Sequence, residues 1–329
     1  MPDCLRIGVL GAARITPMAL LRPARQVPEA TIIAVAARDP QRAQAFARKH
    51  GIARVHPSYG ALLDDAEIDA VYNPLPNSLH CEWTIRALEA GKHVLCEKPM
   101  AANAREAERM AAAARQSGRV LIEAFHWRYH PLAARMKTIL DSGELGTIRH
   151  IEAHFCIPLL KPGDIRYNLA LAGGATMDVG CYAISIVRFL AGAEPEVVRA
   201  AARLSSPNVD RSMEATFGFA DGQTGHMSCA LLSPVLLRAR ARVRGDRGEL
   251  SVLNPIAPQF FHRLTVRTDA GRRSERVRGD ASYVCQLRAF VAAVRSGTPV
   301  PTGPDDALAN MRVIDAVYAK AGLQPRGQC

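Results

Sequence analysis

Aromatic residues make up only 5% of this 329-residue chain, 31 acids face 42 lysines and arginines, and none of the eight cysteines pairs with another as CxxC. Each shortage removes a class of function. Cys4, Cys81, Cys96, Cys156, Cys181, Cys229, Cys285 and Cys329 have no metal-ligand spacing, and HExxH does not occur, so no metal site is expected. Single thiols of this kind suit a reducing compartment. No run approaches the ~18 to 20 apolar residues of a membrane span. The N-terminus, with Asp3 and Arg6 around a short strand, lacks the layout of a signal peptide. These absences point to a soluble cytoplasmic protein, and the length accommodates two domains.

What is present begins at Leu5-Arg6-Ile7-Gly8-Val9-Leu10, a buried strand by its pattern, which runs into Gly11-Ala12-Ala13-Arg14-Ile15. Thr16-Pro17 then supplies an N-cap and a proline at the first helical position. Strand, tight turn and helix start present backbone N–H groups to a pyrophosphate. Ala13 and Thr16 stand at the second and third glycines of G-x-G-x-x-G, and a small residue still lets the backbone approach a ligand. The next strand, 31–36, ends in Ala37-Arg38-Asp39-Pro40-Gln41-Arg42. An NAD-selective site places a carboxylate here for the ribose hydroxyls. Asp39 before Pro40 reads instead as a helix N-cap. Arg38 and Arg42 offer guanidinium groups suited to a 2′-phosphate, the competing reading being two solvated surface arginines. NADP is therefore expected ahead of NAD.

A strand over 68–72 leads to Asn73-Pro74-Leu75-Pro76-Asn77-Ser78-Leu79-His80, whose prolines fix a wall suited to lie along a cofactor. A helix over 82–90 stops at Gly91, and His93-Val94-Leu95 opens into Cys96-Glu97-Lys98-Pro99. A lysine thus stands at a strand end, where open α/β sheets bind ligands, and the proline after it makes a rigid, cis-compatible turn. Taken singly, this is also ordinary turn chemistry. Strands and helices alternate to about residue 123, the pattern of a parallel doubly wound sheet. Residues 1–124 are expected to form a Rossmann nucleotide-binding domain of an α/β protein, and 125–329 a substrate-binding and oligomerisation domain.

The second part opens with Phe125-His126-Trp127-Arg128-Tyr129-His130-Pro131, where Trp127 and Arg128 are candidate substrate contacts. His126, His130 and His154 lack an accompanying carboxylate cluster, which favours hydrogen-bonded histidines over metal ligands. A helix over 133–140 and a strand over 148–156 lead to Ala172-Gly173-Gly174-Ala175-Thr176-Met177-Asp178-Val179-Gly180-Cys181-Tyr182. Apolar residues recur at helical spacing from Thr176 to Ala191, closed by Gly192 at C′. Asp178 and Tyr182, four apart, share a face. Gly180 costs about 1 kcal/mol relative to Ala inside a helix, which points to something approaching the backbone, a cofactor ring being one candidate. Five strands, 197–204, 213–219, 224–231, 237–244 and 264–268, follow without helices between them, the mark of a mostly antiparallel sheet. Helices over 282–296 and 305–321 end the chain.

In this order and spacing, the Gly11 fingerprint, Pro74-Leu75-Pro76-Asn77, Glu97-Lys98-Pro99 and the glycine pair before Asp178-x-Gly180-x-Tyr182 resemble the glucose-fructose oxidoreductase, inositol dehydrogenase and rhizopine catabolism (Gfo/Idh/MocA) family over nearly the whole length. Tyr182, where many members have histidine, resembles the branch of glucose-fructose oxidoreductase, dihydrodiol dehydrogenases, D-xylose dehydrogenases and nucleotide-sugar ketoreductases. The resemblance implies NADP, with NAD as the alternative, and a carbohydrate-like small-molecule substrate. It also implies a last helix that returns to the nucleotide domain, and a homodimer or homotetramer formed through the open face of the second sheet. Cofactor contacts are implied at Gly11, Ala12, Ala13, Arg14, Ile15, Pro74, Leu75, Asn77, His80, Glu97 and Lys98. Arg166, shortly before the glycine pair, and Tyr283, opening the helix over 282–296, are implied too. Ala13 and Ala37 depart from residues that are often glycine and serine, which bears on affinity and cofactor preference.

Hydride exchange with a nicotinamide requires a proton to leave or join the substrate oxygen. Free tyrosine titrates near ~10, too high for a base at neutral pH, but a neighbouring ammonium and a cationic ring favour the phenolate. Tyr182 is the candidate acid/base. Lys98 polarises the oxygen or lowers the tyrosine, and the sequence leaves open which of the two carries the proton. Asp178 orients a substrate hydroxyl or the lysine, or is a plain helix-face ion pair. The alternative function is a nucleotide-binding regulator on the same fold, which need not keep both Lys98 and Tyr182. Of the +11 net charge, a large share lies between Arg238 and Arg278, with 11 arginines and four acids. Arg238, Arg240, Arg242 and Arg244 alternate with Ala239, Ala241 and Val243, which puts all four on one sheet face. No recognition motif or aromatic run accompanies them, so no nucleic acid is expected. The stripe is read as a solvated face or as part of an oligomer interface.

Overall fold

Six short strands, β1 (Leu5–Leu10), β2 (Ala30–Ala36), β3 (Arg54–His56), β4 (Ala70–Asn73), β5 (His93–Cys96) and β6 (Leu121–Glu123), pair in parallel in the order β3-β2-β1-β4-β5-β6 in the computed structural model, which describes residues 4–161, 163–232, 234–235 and 237–327. Cys329 lies outside the described residues. The central strands are covered on both faces, with every residue of β4 buried, which is why they read as continuous apolar runs rather than alternating ones. Strand order reverses between β1 and β4, so the loops after β1, β2, β4 and β5 gather at the carboxyl edge around the switch point. Around this sheet forms one compact unit, 1–101 with 105–129 and 283–308. The division falls at Tyr129 rather than at 124, the helix Ser282–Ser296 joins this unit from its second residue, and the last helix, Pro304–Lys320, is divided after Leu308.

The other unit, 102–104 with 130–282 and 309–329, is built on eight strands. They are β7 (Ile148–Cys156), β8 (Glu196–Ser206), β9 (Val209–Gly218), β10 (Thr224–Ala230), β11 (Arg238–Gly245), β12 (Gly248–Leu253), β13 (Arg263–Thr268) and β14 (Gly271–Glu275). Their order is β14-β13-β12-β11-β7-β10-β9-β8, antiparallel except for the parallel pair β7 and β10. β12 and β14 escaped the sequence reading. The five residues Gly-Arg-Arg-Ser-Glu of β14 carry no apolar side chain, and a hairpin partner alone makes them a strand.

On one face of this sheet lies the segment of the glycine pair, a π-turn Thr176–Gly180 continuing as the helix Cys181–Ala191 and closed by left-handed Gly192 at φ 68°. Leu169–Ala191 is long and apolar enough, with mean hydropathy 1.4, to pass as a membrane span by length and composition, contrary to the sequence expectation. Within it, 83% of the most apolar 18-residue window is buried inside the protein, as a core helix is. Gly180 also receives a different explanation from the one expected. A Cβ there would stand 2.9 Å from Cys229 Sγ on β10, so the close neighbour is the sheet rather than a cofactor ring. Thr16 is corrected as well. Its φ and ψ, −51° and −42°, are helical and its side chain caps nothing, because its N–H already bonds Ala13 O at 3.2 Å and the turn starts before it.

Candidate active-site residues

The loop after β1 turns at Gly11, whose φ of 96° only glycine adopts at little cost. Its N–H donates to Ala36 O at 2.6 Å, tying the loop to the end of β2. Ala37, one of the two departures from the family pattern, packs with Ala12 and Ala43 in a small buried apolar cluster. Arg42 donates from Nη2 to Ala12 O at 2.9 Å and so braces this loop. Asp39 is the N-cap expected, its Oδ1 accepting from Gln41 N at 2.9 Å and Arg42 N at 3.3 Å. That commits the carboxylate nearest the end of β2 and leaves exposed Arg38 beside it. Arg14 is exposed, Ala13 and Ile15 are half-buried, and the Thr16 hydroxyl is buried without a partner at the helix start. A loop of open backbone, a basic residue at the end of β2 and no uncommitted acid at 39 fit a dinucleotide carrying a 2′-phosphate.

Around Lys98 the structure shows a braced turn. The Lys98-Pro99 peptide is cis, as the sequence made plausible. Glu97 accepts the Tyr72 hydroxyl at 2.7 Å on one oxygen and the Lys98 N–H at 3.3 Å on the other, and Met100 N–H donates to Glu123 Oε1 at 2.8 Å. Burial and the Glu97 charge push the Tyr72 phenol upward, so it stays a donor. Glu97 therefore has internal partners that hold the turn, while Lys98 itself is half-buried at the carboxyl edge of the sheet. His80 is corrected in the same sense. It is fully buried, with Nδ1 2.9 Å from Pro99 O and Nε2 2.7 Å from Leu75 O, and ties the Pro74-Leu75 wall to the Lys98 turn instead of reaching a ligand. Burial lowers its pKa to about 4. Pro74 and Leu75 are buried, and Asn77 opens the helix Asn77–Glu89, five residues earlier than expected.

Tyr283 belongs to the same unit, where its ring stacks on His126 at 3.9 Å. Burial, followed by the Glu97 charge, pushes its phenol upward, so it acts as a neutral donor. Trp127 and Arg128 were expected at the substrate. Trp127 is fully buried, and Arg128 forms an ion pair with Asp306 at 3.7 Å, so both read as packing residues. Tyr72, Glu123 and Thr302, whose Oγ1 donates to Glu123 O at 2.7 Å, were missed because their partners are distant in sequence.

In the second unit Arg166 is the centre of a charged triplet. Its Nε donates to Asp178 Oδ2 at 2.7 Å and its Nη1 to Asp164 Oδ1 at 3.0 Å. Burial opposes its charge, but Asp178 and Asp164 more than compensate and hold the guanidinium charged. Asp178 is thus paired with Arg166, a partner the helical spacing alone did not identify. Tyr182 is 6% exposed and meets Phe155 edge-on at 5.5 Å. The arginine stripe lies on the face opposite buried Ala241 and Val243, and finds acids and hydroxyls on adjacent strands. Arg242 Nε is 3.3 Å from Glu152, Arg244 Nε 3.3 Å from Glu249, and Arg240 Nη2 3.1 Å from Ser251 Oγ.

Residues 5–125 match the Gfo/Idh/MocA oxidoreductase family with its NAD-binding Rossmann fold, and residues 133–251 match a Gfo/Idh/MocA C-terminal domain. The chain is 35% identical to the D-xylose 1-dehydrogenase (NADP(+)) 2 of Haloferax volcanii, over 96% of this chain and 97% of that one. It is also 35% identical to the dTDP-3,4-didehydro-2,6-dideoxy-α-D-glucose 3-reductase of Streptomyces violaceoruber, over 97% and 96%. The crystal structure of KijD10, a 3-ketoreductase from Actinomadura kijaniata in complex with NADP and TDP-benzene, superposes with a TM-score of 0.90 at 32% identity, covering 97% of this chain and 98% of that one.

Proposed function

This chain belongs to the Gfo/Idh/MocA oxidoreductase family, and from that premise we propose an NADP-dependent enzyme that moves a hydride between nicotinamide and a CH–OH carbon of a sugar, cyclic polyol or similar small molecule. The observation that carries the reading is the braced turn that sets Lys98 at the carboxyl edge of β5, beside the switch point of a sheet whose second strand ends in exposed Arg38. Bound NADP supplies the hydride donor or acceptor at the nicotinamide C4. Gly11 turns the loop, backbone N–H groups from Ala12 to Ile15 hold the pyrophosphate, Arg38 the 2′-phosphate, and Pro74 and Leu75 form a wall. Tyr182 gives or takes the proton of the substrate oxygen. Lys98 polarises that oxygen and favours the phenolate. Asp178, held by Arg166, orients a neighbouring hydroxyl.

A turnover screen of aldoses, ketosugars, inositols and cyclic diols with NADP(H) and NAD(H) tests this reading, and no turnover with any of them would overturn it. The same screen on Arg38→Ala should show KM for NADP raised by roughly tenfold or more while KM for NAD changes little, the scale of one lost charge-assisted phosphate contact. An unchanged ratio of the two would make Arg38 a bystander.

The protein works in the cytoplasm, in keeping with seven free cysteines among the described residues. It forms a homodimer or homotetramer through the open sheet face. Supporting this are the helix over the opposite face and the exposed Leu237, Leu253, Phe260 and Phe261, at 47 to 65% exposure. Light scattering coupled to size exclusion should give at least twice the 35.6 kDa chain mass. A monomer at micromolar concentration and moderate salt would defeat it.

A further inference from the structure

Asp210, on β9, and Arg326, near the chain end, are both fully buried and lie outside every motif used above. Their contacts leave neither charge uncompensated. Asp210 Oδ2 accepts Thr176 N–H and Thr176 Oγ1–H, each at 2.7 Å, and its Oδ1 accepts Tyr318 O–H at 3.0 Å and Arg326 Nη2–H at 2.8 Å. Arg326 further donates from Nε to Gly173 O at 2.7 Å and from Nη1 to Gln324 O at 3.2 Å. Buried ions in such a network are fixed in place, because any displacement strands a charge in a medium that cannot solvate it.

What this network grips is the backbone of residues 173–176. The same short stretch is hydrogen-bonded to the backbone of the charged triplet: Gly174 N–H donates to Arg166 O at 2.8 Å, Gly173 N–H to Asn168 O at 2.9 Å, and Asp178 N–H to Gly174 O at 3.1 Å. Arg326 thus fixes the Gly173 side and Asp210 the Thr176 side of a strip that is bonded through Gly174 to the backbone of both Arg166 and Asp178, and at whose end the π-turn leading to the helix of Tyr182 begins.

We propose that Arg326 and Asp210 are positioning residues, a buried strut from the chain end that holds Asp178 and Tyr182 in the geometry turnover requires. The proposal rests on the reading of Tyr182 and Asp178 as reactive groups. A shift of about 1 Å in such groups costs as much as ~100-fold in rate, so a strut that merely loosens should be visible in kcat while the cofactor loops are untouched.

The test uses the full chain carrying Arg326→Ala, Arg326→Lys or Tyr318→Phe, assayed at 20 °C with folded fraction followed by circular dichroism. Arg326→Ala should lower kcat per folded molecule by at least ~10-fold and change KM for NADP by a clearly smaller factor, with millimolar guanidinium chloride restoring part of the loss. Lysine cannot serve Gly173 O and Asp210 together through a planar fork, so Arg326→Lys should fall between. If Arg326→Ala does not fold, Tyr318→Phe, which keeps the ring and removes one bond to Asp210, should lower kcat by roughly two- to fivefold. Wild-type kcat per folded molecule in the folded variants would overturn the proposal and leave the pair a matter of stability. Tyr182→Phe, assayed alongside, separates the two ideas. Its retained turnover sinks the catalytic reading and the strut with it, whereas a dead Tyr182→Phe beside fully active strut variants sinks only the strut.

Discussion

Tyr182→Phe is expected to lower kcat by at least ~100-fold, the usual scale for losing an acid/base group, with KM for NADP within about twofold. The substitution isolates the proton. Tyr182 is almost fully buried on a core helix and packs edge-on against Phe155, and phenylalanine keeps that ring, so the fold should be little disturbed. Lys98→Ala should cost a similar factor, and its pH profile tells which of two duties lysine performs. If the ammonium favours the phenolate, removing it raises the tyrosine pKa, and the limb on which oxidation activity rises with pH moves to higher pH. If the lysine only polarises the oxygen, kcat falls with the limb unmoved. Near-normal kcat in Tyr182→Phe would remove Tyr182 from the chemistry and leave Lys98 or a water as the proton carrier.

The parts of this arrangement legible in the sequence were those written by local patterns. β4 is buried throughout and β1 everywhere but at Arg6, so both read as largely apolar runs, Asp39 before Pro40 is the cap it looked like, and the helix Ser282–Ser296 matches its periodicity at both ends. Lys98 was visible because a strand, a charge and a proline occur together within a few residues. What escaped depends on partners far along the chain. His80 shows as a polar residue in a loop, but its carbonyl at Pro99 lies 19 residues on. Gly180 signals a close neighbour without naming it, and that neighbour, Cys229, comes from another element. Asp178 presents itself as half of a helix-face pair with Tyr182, yet its ion-pair partner Arg166 sits 12 residues upstream, before the helix. The union of Asp210 and Arg326 across 116 residues has no local trace at all. Spacing rules report which residues share a face. They do not report which other element that face meets.

The glycine pair gives the second large effect, and here the loss falls on stability. Gly174→Ala is expected to destabilise the protein by at least about 3 kcal/mol, the scale of disrupting a buried ion pair. Gly174 has φ 140°, a conformation that disfavours any Cβ, and the added carbon would lie 2.2 Å from Asp210 Oδ1, 2.8 Å from the Tyr318 hydroxyl and 2.9 Å from Arg326 Nη2. None of these atoms is the loose end of a surface side chain, since each is held in the buried network that also grips Gly173. Gly271→Ala provides the comparison. Its φ of 126° carries a similar kind of backbone penalty, but nothing lies within 4 Å of the new Cβ, so its cost should be that of the backbone alone, about 1 to 3 kcal/mol. Denaturant midpoints of the two variants against wild type separate strain from collision. A markedly larger shift for Gly174→Ala is the expected result, and equal shifts would show that the Asp210 and Arg326 side chains yield to the intruding carbon, so that the network is softer than its burial implies.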